Sequence, residues 1–430
     1  MPEQVARRGG SPAEGRGQNA VRLTRRQVLF GAAGAAAVAA FGGVARGQEP
    51  PEDPTKVPGA LTSARGTPSP FETLARSPVG RPSTSFTPLQ DLDGMITPSG
   101  LHYERHHNGV PQIDPRRYKL LVHGMVDRPM AFTLDDIKRY PAVSRIYFLE
   151  CSGNSGAGFV DPKPADTAQS VHGLTSTSEL VGVLMSTILR EVRPAKGATW
   201  ALFESYDAAV MTRSIPMEKL WNDAMLAYVQ NGEAIRPEQG YPVRSILPGY
   251  EGNSQVKWVR RIEISDQPWQ SREETSKYTD PVCPPDDDCH ARQFTFLMDA
   301  KSVITWPSGG QTVSGPGTWE IKGIAWSGRG FIDKVEVSTD GGKTWDLAKL
   351  EQPVLPMAHT RFRFLWNWDG SPAIIVSRAT DSTGYIQPAR QELIDLRGLV
   401  RGPTLQSAYH ANYTQPWKVS GDGKVTNGLA

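Results

Sequence analysis

Past residue 292 the chain becomes a close succession of short alternating segments, FTFLMD, TWEIKGIAW, DKVEVS, RFRFLWNW and AIIVSRA, divided by turn signals. Alternation with period two buries one face of each strand, so such segments are stable only when stacked as sheets on a shared core. In RFRFLWNW, Phe362, Phe364, Trp366 and Trp368 fall on one face. An aromatic stripe of this kind predicts the core of an immunoglobulin-like β-sandwich over residues 292–415 rather than a binding surface. Asp340-Gly341-Gly342, between VEVST and KTWDLA, reads as a hairpin turn. Residues 416–430 read as a tail.

The texture before this region is mixed. Residues 118–124 and 145–149 read as strands, and the second runs directly into CSGNSG. FTLDDIKRYP reads as a short helix, with Thr133 as cap, Asp135 and Asp136 in the first turn and Pro141 as the stop. SELVGVLMSTILREV (178–192) reads as an amphipathic helix capped by Ser178. Residues 199–203 and 256–265 supply further strands. The chain has 430 residues, 38% of them apolar, which suits two domains with large cores; 42 glycines and 35 prolines favour a loop-rich fold over a bundle. The expected fold class is α+β: a mixed domain over 95–280, a linker loop over 281–291, then the sandwich.

The basic balance belongs to the N-terminus. Residues 1–47 hold seven arginines and two glutamates, so this leader is +5 and the rest of the +2 chain is −3. The pI of about 8.3 is therefore no argument for nucleic-acid binding. Arg25-Arg26 in TRRQVLF precede an uncharged alanine- and glycine-rich stretch, and Gly43-Val44-Ala45 offers a cleavage site. That order is a twin-arginine (Tat) export signal, which carries folded proteins to the periplasm, typically after a cofactor has been inserted. A run so rich in alanine and glycine is a poor membrane anchor, and no other stretch is apolar enough to span a bilayer. Residues 48–94, rich in proline, serine and threonine, read as an extended arm without chemistry.

Three cysteines remain to be placed. Cys283 and Cys289, in PVCPPDDDCH, can form a local disulfide, join His290 at a metal or stay free. Cys151 stands at the end of an apolar strand and opens a glycine- and serine-rich loop, the kind that brings backbone N–H groups close to an anion. It reads as a small core residue, a nucleophile or a metal ligand; a single soft thiolate needs other ligands, which a cofactor can bring.

The strings YERHHNGVPQID (103–114), FLECSGNSG (148–156), FESYDAAVMTRSIP (203–216), NGEAIRPEQGYPVRSILPGYEGNSQVKWVRRIEI (231–264), REETSKYTD (272–280), RQFTFLMDAKSVIT (292–305), IAWSGRG (324–330) and SRATDSTGYIQP (377–388) occur in the order seen in the sulfite oxidase family of molybdopterin enzymes. The chain resembles that family over about residues 95–415, its sulfane-dehydrogenase branch above all. The resemblance implies one molybdenum–molybdopterin per chain, with Cys151 as the thiolate ligand of the metal. It makes Tyr103, Glu104, Arg105, His106 and His107 the first cofactor segment, with Arg105 also facing the metal. Asp207 would read the pterin edge and Arg244, preceded by Gln239, would bind the phosphate. Gln255, Val256 and Lys257 form a third cofactor segment, and Tyr278 stands by the reacting oxygen. The sandwich would be the dimerisation domain, making a homodimer or hetero-oligomer.

Three departures bear on the substrate. Gln239 replaces the family's histidine. Gly156 stands where sulfite oxidases carry an arginine, five residues past the metal cysteine. A later pocket arginine has no match in SAYHANYTQ (407–415). A less cationic pocket disfavours the small sulfite dianion and favours a sulfane carried on a protein cysteine. No Cys-x-x-Cys-His is present, so no haem is expected and electrons would leave to a separate c-type cytochrome. The alternatives are a dehydrogenase for free sulfite, a sulfoxide reductase, which would lack the sandwich, and a non-catalytic exported binding module.

Overall fold

The computed structural model describes residues 58–78, 83–281, 292–401, 404–405 and 408–430. The expected leader, and Cys283 and Cys289 with their pairing, lie outside the described residues. Thr73–Ala430 forms one unit, while residues 58–72 belong to another and carry no helix or strand. No helix among the described residues is long and apolar enough to cross a membrane.

Two five-stranded sheets build the first half. One runs in the order Glu233–Ala234, Met225–Gln230, Thr175–Leu184, Ala142–Glu150, with Arg244–Ile246 also paired to Met225–Gln230. The other runs Met130–Phe132, Leu120–Gly124, Val259–Ser265, Trp200–Ser205, Thr212–Pro216. Leu120, Val122, Phe203 and Ile262 from the second sheet meet Val183 and Leu226 from the first in one core, with Ile188 and Leu189 of the helix Met185–Val192 filling it. The short helix is as expected: Leu134–Lys138, with Thr133 and Asp136 forming a reciprocal capping box.

The predicted helix over 178–192 is only half right. Thr175–Leu184 is a strand and Met185–Val192 alone is helical. Ser178 is no cap; in mid-strand its hydroxyl accepts from Gln230 Nε2 at 2.9 Å. The strand is central, paired along nine positions with Ala142–Glu150 and also with Met225–Gln230. Buried on both faces, it reads as an apolar run that mimics helical spacing. At Gly182 a Cβ would lie 2.0 Å from Leu226 O, so glycine is what lets the neighbouring strand close in.

The sandwich forms as expected. Lys301–Trp306, Gly317–Trp326, Thr360–Trp368 and Lys349–Leu350 make one sheet. Asp346–Leu347, Ile332–Ser338, Ala373–Asp381, Trp417–Val419 and Val425–Asn427 make the other. Phe362, Trp366 and Trp368 are buried between them with Ile321, Val335 and Ile375. The hairpin after Ser338 is present, and the Asp340 carboxylate accepts from the N–H groups of Lys343 and Thr344.

Two boundaries move. FTFLMD is not a sandwich strand: 292–294 pair with Thr279–Pro281, and the sheet begins at Lys301. Its backbone is spent on the first domain instead, Glu251 N–H donating to Phe296 O at 2.7 Å and Met298 N–H to Gly249 O at 2.9 Å, with Phe296 stacked on Tyr250. The segment is a strap between the two halves. The expected tail supplies the last two strands of the second sheet, and Trp417 is fully buried against the core there. The expected arm also ends early: Thr84–Phe86 pairs with both Ser77–Pro78 and Glu104–Arg105, and Thr87 and Leu89 are buried.

Phe362→Ala removes a ring packed at the centre of the sandwich, 0% exposed. It should lower stability by about 3–5 kcal/mol in urea denaturation, the cost of a large cavity that its neighbours cannot close.

Candidate active site

The strand Ala142–Glu150 delivers Cys151 at its end, and the chain turns there at once. Cys151 N–H donates to Leu174 O at 3.0 Å, Asn154 N–H returns to Cys151 O at 2.9 Å, and Ser155 N–H donates to Val171 O at 2.9 Å. The sulfur therefore looks into a cleft enclosing about 650 Å³ of atom-free space. Tyr103, Arg105, His106 and His107 form one wall; Gln239, Arg244, Gln255, Val256 and Lys257 form another; Asp207 and Tyr278 complete the lining. The first wall is held by the strand Glu104–Arg105, and the second hangs from the strand Arg244–Ile246 and the turn after it.

Glu104 is the exception among the candidate residues. Its carboxylate turns out of the cleft to Arg76 Nη1 at 2.8 Å and His106 Nε2 at 3.1 Å. Neighbours in a strand point to opposite faces, so Glu104 and Arg105 cannot share the cleft through their side chains. Ser205, Met211, Gly252, Asn253 and Trp258 also line it and were not singled out from the sequence. All five lie inside the quoted strings, beside residues that were chosen.

One end of the cleft is cationic. Arg244 is buried and donates to two carbonyls, Gln239 O at 2.9 Å and Gln255 O at 3.3 Å; its Nε has no partner. Burial pulls its pKa down to about 10. Lys257 Nζ donates to Arg105 O at 2.9 Å and Glu238 O at 2.8 Å, and burial, then the charge of Arg244, pull its pKa down to about 7. Neither has a carboxylate ion-pair partner among the described residues. Buried cations persist at such cost only where an anion is due, and an arginine fork beside an ammonium suits a phosphate. Gln239 contributes no charge there: its Nε2 donates to Tyr103 O at 2.8 Å, tying the two walls together.

At the middle, Asp207 is buried and accepts from the Ser205 hydroxyl and from Met211 N–H. It is placed to read a hydrogen-bonding ring edge. At the other end Tyr278 is held at φ +42, outside the usual range for a bulky residue. Its hydroxyl meets His107 Nε2 at 3.1 Å, and the Arg213 guanidinium lies 5.8 Å from its ring. Burial, then the proximity of Cys151, push the Tyr278 pKa up, so the phenol stays a donor; burial and Arg105 push His107 down toward neutral. Burial also raises the Cys151 thiol, with Arg105 opposing it. A bound cation would reverse that balance and hold the thiolate.

Arg105, Cys151 and Tyr278 also line a second, open cleft of about 1750 Å³. Gly153, Gly156 and Gly158 form its wall, with Lys163, Lys277 and Tyr409 at the mouth. Cys151 thus stands at the waist between two clefts. Gly156 places no side chain at the mouth. From the segment 407–415 the cleft receives Tyr409 rather than an arginine, while the neighbouring His410 turns its Nε2 to the buried Glu251 at 2.6 Å.

Comparison with known proteins agrees with this arrangement. Residues 107–273 match the oxidoreductase molybdopterin binding domain and residues 292–412 the Mo-co oxidoreductase dimerisation domain. Sulfite oxidase of Gallus gallus is 30% identical over 352 residues, covering 77% of this chain and 75% of that protein. Nitrate reductase [NAD(P)H] of Hordeum vulgare is 32% identical over 329 residues, but the match spans only 36% of that longer protein. Among solved structures, the sulfane dehydrogenase SoxCD from Paracoccus pantotrophus superposes with a TM-score of 0.81 at 42% identity, covering 86% of this chain and 95% of that one. The chain belongs to the sulfite oxidase family of molybdopterin oxidoreductases.

The state of Lys257 makes anion binding pH-dependent. With its pKa at about 7 rather than 10.5, the ammonium is lost as pH rises through neutrality. Chain made without the pterin should therefore bind sulfate, which does not titrate here, more weakly at pH 8 than at pH 6. Lys257→Met should bind it weakly at both. Isothermal titration at fixed ionic strength checks this.

Proposed function

We propose that the protein is a periplasmic molybdenum oxidoreductase that oxidises reduced sulfur, a sulfane on a carrier protein in preference to free sulfite, and passes electrons to a c-type cytochrome. The observation that carries this is the placement of Cys151 between a cleft that holds Arg244 and Lys257 and a larger one lined in part by glycine. The molybdenum–pterin group supplies oxygen transfer and electron storage when bound.

The chain's own residues do the rest. Arg244 and Lys257 hold the phosphate, Asp207 reads the pterin edge, and the Cys151 thiolate gives the metal its protein ligand. Arg105 orients an anionic sulfur at the waist. Tyr278, kept protonated and aligned by His107, donates a hydrogen bond where charge develops on the reacting oxygen. A cleft lined in part by Gly153, Gly156 and Gly158 leaves room for a substrate bulkier than sulfite, and Gly156 leaves out an arginine that a small dianion would favour. The likeness to a sulfane dehydrogenase supports the same reading, and the dimerisation-domain match supports an oligomer. The twin-arginine leader supports export after the cofactor has been inserted.

The test is made on protein from cells able to build the pterin. It should contain about one molybdenum per chain, as a single-pterin family implies. With cytochrome c as acceptor, kcat/KM should be higher for a carrier-bound persulfide than for sulfite. Cys151→Ser should abolish turnover; full turnover in that variant, or colourless protein without molybdenum, overturns the reading.

A further inference from the structure

One ammonium from the sandwich holds both ends of the loop that presents Cys151. Lys301 opens the strand Lys301–Trp306 and is 1% exposed. Its Nζ donates to Glu150 Oε1 at 3.0 Å and to Ser155 Oγ at 2.5 Å. Glu150 immediately precedes Cys151, and Ser155 follows it by four residues.

The anchors at each end are themselves constrained. The Glu150 carboxylate is wholly buried and also accepts from Asn154 Nδ2 at 2.8 Å and Trp326 Nε1 at 2.6 Å. Lys301 and Trp326 are cross-strand partners, so a single rung of the sandwich supplies both donors. Ser155 sits in the left-handed region at φ +70, and its hydroxyl meets His172 Nδ1 at 2.6 Å. A non-glycine residue persists there only when its surroundings fix it. Lys301 is also the ion-pair partner that offsets Glu150, a buried negative charge one residue from a second prospective one.

We infer that Lys301 is a positioning residue: it reaches across from the second domain, pins both ends of the Cys151 loop and sets the direction of the cysteine sulfur. This rests on Cys151 being the metal ligand, as proposed above. It gives the contact between the domains a role in the site, because any shift of that rung moves the loop.

The experiment compares wild-type holoprotein with Lys301→Met, Ser155→Ala and the neutral pair Glu150→Gln/Lys301→Met. Four quantities are read: molybdenum per chain, the g-values of the Mo(V) resonance, iodoacetamide labelling of Cys151 by peptide mass spectrometry, and kcat separately from KM. Lys301→Met should shift the g-values, expose Cys151 to labelling and lower kcat or metal retention by about 10- to 100-fold, the range seen for residues that orient a metal ligand. Ser155→Ala should move the same readouts less. The neutral pair should regain thermal stability but keep the altered resonance and labelling.

Wild-type g-values and labelling in Lys301→Met, with only its melting temperature lowered, overturn the inference. If Lys301→Met fails to accumulate, the neutral pair and Ser155→Ala decide by the same readouts. Absence of molybdenum from the wild type defeats the proposed function instead, and Cys151 labelling then decides the positioning claim alone.

Discussion

Arg244, buried, and Lys257, half-buried, share one end of the cleft, and their hydrogen bonds there go to backbone carbonyl oxygens. Burial lowers the basicity of both, and the charge of Arg244 lowers that of Lys257 further. The surrounding architecture is organised to keep them in place. Gln239 binds Arg244 through its carbonyl and Tyr103 through its amide, and Lys257 binds the carbonyls of Arg105 and Glu238. Three chain segments remote in sequence thus meet around one anion-shaped need. The same segments carry Arg105 and His107 toward Cys151, so the position of the cationic end fixes that of the cysteine end.

The two halves of the unit are joined at the site rather than merely beside it. Residues 294–298 strap the loop 249–251 to the start of the sandwich, and His410 reaches back to Glu251. His410 N–H also donates to Ser152 O at 2.9 Å, next to the cysteine itself. A sheet-on-sheet domain gives little chemistry of its own, yet here one of its rungs and its C-terminal loop hold the cysteine turn from behind. That arrangement frees the front of the turn. Gly153, Gly156 and Gly158 add no side chains to that lining of the larger cleft.

Much of this was legible along the chain. Thr133 and Asp136 form the expected cap because a capping box is local: four consecutive residues settle it. The alternation of Phe362, Trp366 and Trp368 gave the sandwich core, because period two admits one arrangement of faces. Twelve of the thirteen candidate residues line one cleft, since each was read from a string rather than singly. Residues 178–184 were misread because a strand buried on both sides has no polar face to mark its period. The strap at 294–298 was misread because its β-rich composition matches a strand, while its hydrogen bonds go to another domain. The final strands were missed because three-residue strands carry too short a pattern to stand out.

What the sequence by itself determined was the chemistry: which side chains are available, the β-rich nature of the second half, whose one described α-helix, Arg390–Arg397, it did not mark, and a cysteine at the end of a strand. What only tertiary structure decided was company. Whether an arginine is solvated or stranded, whether Glu104 faces the cleft or Arg76, and whether Lys301 touches the cysteine loop depend on residues up to 151 positions apart. Such contacts follow from desolvation and packing of whole sheets, which leave no local pattern in the chain.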